Sequence, residues 1–304
     1  MSSDLRAVLA LLTLAACRPD FGLPVSVVSD PRILAVEANP PEALPGAVLH
    51  LRVTSGGPEG PLLAKASFGF CTSPRPLVEP NVVNADCLGS APAASPIAEG
   101  LQETDATVPT NACLQFGPDT PSQQPGEPPY RPRDPDVTGG FYQPVRVALD
   151  DGLEAIALVR IRCNLPNAST ERAVEYAQRY ADNQNPAITR LELRVDGAAI
   201  DPGQVPASAK VTLHAEWDSG SAEPYVVHRA VDDTLVDHRE ALRVSWFTTG
   251  GTIPLVATGR AEDDPVAFTE TTWETPSAGA GWLWAVLRDN RGGSSVQALA
   301  FSVR

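Results

Sequence analysis

Apolar and polar residues alternate with a period of two in many short stretches of this chain, and the stretches fall into two similar series. In the first, Arg32-Ile33-Leu34-Ala35-Val36-Glu37-Ala38 precedes Pro45-Gly46, and Val48-Leu49-His50-Leu51-Arg52-Val53 follows it. In the second, Ile188-Thr189-Arg190-Leu191-Glu192-Leu193-Arg194-Val195 precedes Pro202-Gly203, and Val211-Thr212-Leu213-His214-Ala215 follows it. A period of two sends successive side chains to opposite faces, so each series predicts two half-buried strands, A and B, joined through a turn. Each half then offers a strand C, Ala66 to Cys71 and Leu242 to Thr248, and a strand E, near Ala106 to Val108 and Ala267 to Trp273. A hairpin closes each half: Val145 to Leu149, Asp150-Asp151-Gly152, then Ala155 to Cys163; and Trp282 to Leu287, Asp289 to Gly293, then Val296 to Val303. The Asp, Asn and Gly residues supply the positive φ angles that tight or bulged hairpins need.

The period changes to that of a helix between Ser169 and Asp182. Ser169 or Thr170 can cap it, Glu171 sits in its first turn, and Ala173, Tyr176, Ala177 and Tyr180 form an apolar stripe before Asn185-Pro186. Such a stripe is read first as packing against a sandwich or the interdomain seam, and second as a partner-binding face. Two excursions interrupt the first half, Thr72 to Ala98 and the Pro-rich Leu114 to Tyr142. Loops this long are functional or disordered in most domains, and a stiffened Pro-rich segment can present Tyr130, Arg131 and Arg133 to a partner. The plainer reading is a solvated or self-packed loop fixed by Cys113.

These elements predict an all-β protein of two antiparallel β-sandwiches joined by a short helix-containing linker. About seven short strands per half, with a Pro-Gly between A and B and a terminal hairpin, resembles the immunoglobulin-like sandwich. Trp246 stands where that fold places a core aromatic on strand C, and Phe68 and Phe70 occupy the comparable stretch of the first half. The resemblance implies sandwiches at residues 31–163 and 186–304 with a helical linker at 164–185.

The first residues carry a different pattern. An apolar run from Ala7 ends at Leu14-Ala15-Ala16-Cys17, behind an n-region with Arg6. The run is too short to cross a bilayer and ends in small residues, as a signal peptide does. It looks like the lipobox of bacterial lipoprotein precursors, which implies a signal peptide at residues 1–16, lipidation of Cys17 and a lipidated tether over 17–30. Together with Pro-Arg-Ile-Leu-Ala-Val, Val-Ser-Trp-Phe and Arg-Asp-Asn-Arg-Gly-Gly, the lipobox resembles uncharacterised lipoproteins of Gram-negative bacteria. By that resemblance Arg18, standing where Asp marks inner-membrane retention, favours the outer membrane, on its periplasmic or surface face. Several acyl chains at about 0.8 kcal/mol per buried methylene make such an anchor effectively permanent.

Composition supports the strand reading, with 30 Pro and 23 Gly in 304 residues. A formal charge of -14 repels phosphate backbones and anionic headgroups, which argues against nucleic acid as a partner and leaves any membrane contact to the lipid. Cys71, Cys87, Cys113 and Cys163 remain once Cys17 is set aside, an even number that reads as two disulfides in an exported protein. Three pairings are open. Cys71 with Cys87 and Cys113 with Cys163 is preferred because it closes one small loop and ties one long loop to the last strand of the first half. A four-thiolate zinc site lacks the usual C-x2-C pairs.

Candidate chemistry is sparse. His50 and His214 fall on strand positions whose neighbours claim the inward face, so both are expected at the surface. His228, Asp232, Asp233, Asp237 and His238 gather ligand types in the excursion between strands B and C of the second half, enough to bind a divalent ion although turns naturally collect Asp. Glu262-Asp263-Asp264 and Asp289-Asn290 offer oxygen ligands for calcium without an EF-hand loop; otherwise no cofactor is expected. The chain has no G-x-S-x-G elbow, H-E-x-x-H helix, Walker loop or dinucleotide-binding turn, so a non-enzyme is expected. The resulting expectation is a membrane-anchored extracytoplasmic lipoprotein acting as a non-catalytic binding or structural module toward an envelope protein or glycan. Its alternatives are an accessory subunit of an envelope secretion or transport complex, and a hydrolase of envelope polysaccharide with two carboxylates facing across a cleft.

Overall fold

A computed structural model of the chain describes residues 24–74, 83–87, 94–117, 136–165 and 168–304. The first half contributes β1 (Arg32–Asn39), β2 (Glu42–Ala43), β3 (Val48–Gly57), β4 (Gly60–Leu62), β5 (Lys65–Cys71), β6 (Ala94–Leu101) and β7 (Glu103–Thr107). Then come a short helix α1 (Ala112–Phe116), β8 (Asp136–Val137), β9 (Gly140–Leu149) and β10 (Glu154–Arg162). One sheet runs β1-β3-β4 with β7 also on β3, and the other runs β2-β10-β9-β5-β6. Helix α2 (Thr170–Arg179) leads to the second half: β11 (Ile188–Val195), β12 (Ala198–Ile200), β13 (Lys210–Trp217), β14 (Pro224–Arg229), β15 (Thr234–Arg239) and β16 (Leu242–Thr248). It closes with β17 (Ala257–Arg260), β18 (Phe268–Glu274), β19 (Gly279–Arg288) and β20 (Ser294–Val303). Its two main sheets run β12-β11-β13-β18 and β17-β16-β19-β20. In both halves strands A, B and E share one sheet and C, F and G the other, the arrangement of an immunoglobulin-like sandwich.

Alternation explains each core. Leu49, Leu51 and Val53 of β3 face Phe68 and Phe70 of β5 and Val145 and Val147 of β9. In the second sandwich Leu213 and Ala215 of β13 meet Trp246, Trp273, Leu283 and Leu287. The two buried indoles keep their N–H groups satisfied, Trp246 on Thr258 Oγ1 at 2.9 Å and Trp273 on the Gly250 carbonyl at 2.9 Å. Cys71 pairs with Cys87 and Cys113 with Cys163, the Cα atoms 5.5 and 5.7 Å apart, so both bonds lie in the first half. Among the described residues no helix is long and apolar enough to cross a membrane.

The sandwiches lie side by side rather than end to end. In β19 every residue from Leu283 to Leu287 is buried. Leu283, Ala285 and Leu287 face their own core, while Trp284, 1 % exposed, turns outward onto Leu34 of the first half and onto Val28 in the segment before β1. Trp282 stacks beside it, ring centroids 6.4 Å apart, and lies against Gly60. A small three-stranded sheet spans the halves: hairpin β14–β15 pairs with β8, with His228 opposite Val137.

Three expectations change. The tether does not run free to residue 30: Val28 N–H donates to the Thr248 carbonyl and Thr248 N–H to that of Ser26, both at 2.8 Å, so residues 26–28 are docked on the second sandwich. The excursion between strands B and C contains the hairpin β14–β15. The linker helix, capped by Ser169 accepting from Arg172 N–H, stops at Arg179 rather than Asp182. Its next residues are drawn out of helix because their polar groups bond to both sandwiches.

Candidate functional site

Those bonds meet in a buried charged seam. Strand β2 lies parallel on β10 with Glu42 opposite Arg160, whose Nε donates to Glu42 Oε2 at 3.3 Å. Arg291 arrives from the other sandwich at the tip of the β19–β20 hairpin. Its turn is held by Asp289 Oδ1, which accepts from the Arg291 and Gly293 N–H groups, each at 2.8 Å. Arg291 Nη2 donates to Glu42 Oε2 at 3.2 Å, to Tyr180 Oη at 3.1 Å and to the Ala181 carbonyl at 2.9 Å. Its Nη1 donates to Glu240 Oε1 at 3.3 Å, and its guanidinium lies over the rings of Tyr180 and Tyr225. Tyr180 Oη in turn donates to Glu42. The linker joins in: Asn183 N–H meets Glu42, Gln184 N–H meets Glu223 Oε2 at 2.9 Å, and Asn185 bridges the Ala38 carbonyl and Ser294 N–H.

Arg291 is 1 % exposed, and Arg160, Glu42 and Glu240 are also buried. Burial, reinforced by Asp289, pushes the Glu240 carboxyl up to about 8. Burial likewise raises Asp289 and Glu223. Burial pulls Arg160 and Arg291 down, but Glu42 attracts the first, and Tyr180 and Glu42 the second, strongly enough that both end above their ordinary value. Such a cluster holds only while every member is paired, because an orphaned buried charge costs about 3–5 kcal/mol.

Beside the seam, helix α2 and the first sandwich enclose an open groove of about 580 Å³. Ala173, Tyr176, Ala177 and Tyr180 form one wall; Leu44, Pro45, Leu165 and the Cys113–Cys163 bond form the other. A smaller hollow of about 200 Å³ continues it past Leu44 to Arg162 and Asp182, which are paired with each other. Leu44 and, on α2, Val174 are large apolar side chains left 48 % and 53 % exposed. The stripe thus splits. Tyr176 is buried with its hydroxyl donating to the Thr138 carbonyl at 2.8 Å, and Tyr180 is spent on Glu42, so the two tyrosines are anchors of the helix rather than a free partner face.

The other candidate residues do not converge. His228 Nε2 meets Asp233 at 2.9 Å, Asp232 is paired with Arg229, Asp237 with Arg179, and His238 with Glu262. Hairpin pairing spreads these side chains along β14 and β15, and among the described residues no group of three or more such side chains could hold a metal. In the calcium candidates, Asp264 is bonded to Arg260 and the Val266 N–H, Asp289 holds its own turn, and Asn290 Nδ2 donates to Tyr225 Oη. His50 is exposed beside Asp105 as expected, whereas His214 is 3 % exposed, covered by Phe268 and bonded to Glu270 at 2.8 Å. It does sit on the outer sheet face, but its neighbours on β18 close over it. Cys17, Tyr130, Arg131 and Arg133 lie outside the described residues.

Reasoning from sequence missed the seam and the outward role of Trp284. The uninterrupted apolar run Trp282 to Leu287 was the available signal, since a strand buried on both faces loses its alternation.

The fold therefore defines a pair of immunoglobulin-like sandwiches welded through a polar seam. No protein-family model matches the chain, and no curated protein matches it. Among solved structures it is similar to the fibronectin(III)-like modules of Clostridium thermocellum CbhA, at 10% identity and TM-score 0.23, covering 89% of this chain and 94% of that one. It is also similar to the D00-D0 domain of intimin, at 8% identity and TM-score 0.25, covering 88% and 99%. The C-terminal domain of the Streptococcus agalactiae polypeptide BspA matches at 11% identity and TM-score 0.25, covering 90% and 99%.

Proposed function

We propose that the protein is a non-catalytic binding or structural module of the bacterial cell envelope, anchored to the outer membrane by lipid on Cys17. The observation that supports this best is where the buried ionisable groups go. Glu42, Arg160, Glu240 and Arg291 bond to one another and to the linker, joining two sandwiches into one body. Two disulfides in the first sandwich agree with an exported protein. The reading is tested by mass spectrometry of native protein from membrane fractions, without reduction. A triacylated Cys17 at the N-terminus is the expected result; an unmodified chain beginning at Met1 overturns it.

The accessory-subunit reading draws on one feature, the groove beside α2 with Leu44 exposed at it. Crosslinking in the envelope followed by co-purification tests that reading, with a Leu44→Asp variant as the comparison.

A further inference from the structure

Four carboxylates gather at the seam, Glu42, Glu223, Glu240 and Asp289, against two guanidinium groups, Arg160 and Arg291. Glu223 and Glu240 are neighbours, the Glu223 N–H donating to Glu240 Oε2 at 3.1 Å and the Glu240 N–H to the Glu223 carbonyl at 3.0 Å. The remaining titratable groups facing Arg291 are the phenols Tyr180 and Tyr225, and Tyr225 is stacked on His238, which pairs with Glu262. Fully ionised, the seam would gather two more negative charges than positive ones, with Glu42 and Glu240 buried and Glu223 and Asp289 half-buried beside them. Arg291 is shared between two carboxylates that belong to different bodies: Glu240 in its own sandwich and Glu42 across the seam.

We infer that the seam is a proton-dependent latch, in which a proton on Glu240 commits Arg291 to Glu42 and holds the sandwiches together, while loss of that proton draws Arg291 back to its own sandwich. Ionised Glu240 competes for the one guanidinium that bridges the halves. It also adds a charge next to Asp289 and Glu223, and opening the seam to water relieves it. The high proton affinity of Glu240 in the closed seam agrees with this.

The sign follows from linkage. A carboxyl whose proton is held more tightly in the closed form favours closure most below its ordinary range. That advantage is lost as pH rises to about 8, falling about tenfold per pH unit and levelling above it. The test is hydrogen exchange of the Val28, Asn183 and Gln184 amides in the full chain, corrected for intrinsic rates, with small-angle scattering alongside, from pH 5 to pH 9. Protection at these amides should fall steeply to about pH 8 and the radius of gyration should rise. Glu240→Gln, permanently neutral, should keep both flat. Glu42→Gln should remove the cross-seam negative charge that holds Arg291 and leave the seam open at every pH. Wild-type protection and radius unchanged across this range, or an equal fall in Glu240→Gln, overturns the latch. Should Glu240→Gln not fold, the wild-type and Glu42→Gln profiles decide: parallel pH curves in the two count against it.

Discussion

Replacing Arg291 by Met keeps a long apolar stem in the seam and removes the guanidinium. Four hydrogen bonds go with it, to Glu42, Tyr180, the Ala181 carbonyl and Glu240. Summing charge-assisted bonds at about 1.5–3 kcal/mol each would overshoot, because folding only exchanges them for bonds to water. The relevant cost is that of the partners left behind. Glu42 keeps Arg160 at 3.3 Å and Tyr180, and Glu240 holds its proton at neutral pH, so neither is left as a bare buried charge. The expected loss is therefore near the lower end of the range for a broken buried pair, about 3 kcal/mol at pH 7. Urea unfolding followed by far-UV circular dichroism reads it, with proteolysis of the 180–186 linker as the local signal. Because Arg291 and Glu42 touch, Glu42→Gln/Arg291→Met should cost less than the two single changes together, by about 1–3 kcal/mol. A single-variant loss below about 1 kcal/mol, or additive energies, would refute the view that these charges join the halves.

Trp284→Ala should cost about 3–5 kcal/mol and raise exchange at the Val28 amide, since the ring fills the apolar contact between the sandwiches. Gly60→Val should weaken the same contact, because Gly60 has φ +122° and any Cβ there overlaps the Trp282 ring; an unchanged unfolding midpoint would count against it. Removing the Cys113–Cys163 bond, whose ends are separated by 50 positions, should destabilise by about 4 kcal/mol in the chain-entropy account, against about 3 kcal/mol for Cys71–Cys87 at a separation of 16. Urea midpoints of the paired Ser variants check the order. Leu44→Asp should change stability by no more than about 0.5 kcal/mol while abolishing any crosslink that passes through the groove.

The strands were legible because their signal is local. Ile188–Val195 and Leu242–Thr248 coincide with β11 and β16, and the other A, B, C, E, F and G strands overlap theirs, least well at Ala106–Val108 against β7 and at Val145–Leu149, which is half of β9. Each reads from its own alternation and flanking turns. The hairpin β14–β15 was hidden because its run Tyr225 to His228 stood next to Asp232 and Asp233, which drew attention as ligands; Asp233 in fact takes φ +51° in the turn. His214 follows the same logic: its face was read correctly from Leu213 and Ala215, but its burial comes from Phe268, more than fifty residues along the chain.

The two sandwiches and the aromatic core positions are written in the chain itself, the helix cap is narrowed there to Ser169 or Thr170 and one of three cysteine pairings is favoured, because alternation, turn chemistry and loop length act between near neighbours. Folding in three dimensions is what sets the sandwiches side by side, brings residues 26–28 into the body, and joins Glu42, Arg160, Tyr180, Glu240 and Arg291 in one network. Ion pairing depends on through-space distance and burial, and these groups, which look like ordinary surface charges in sequence, become partners only when two separately patterned bodies exclude water between them.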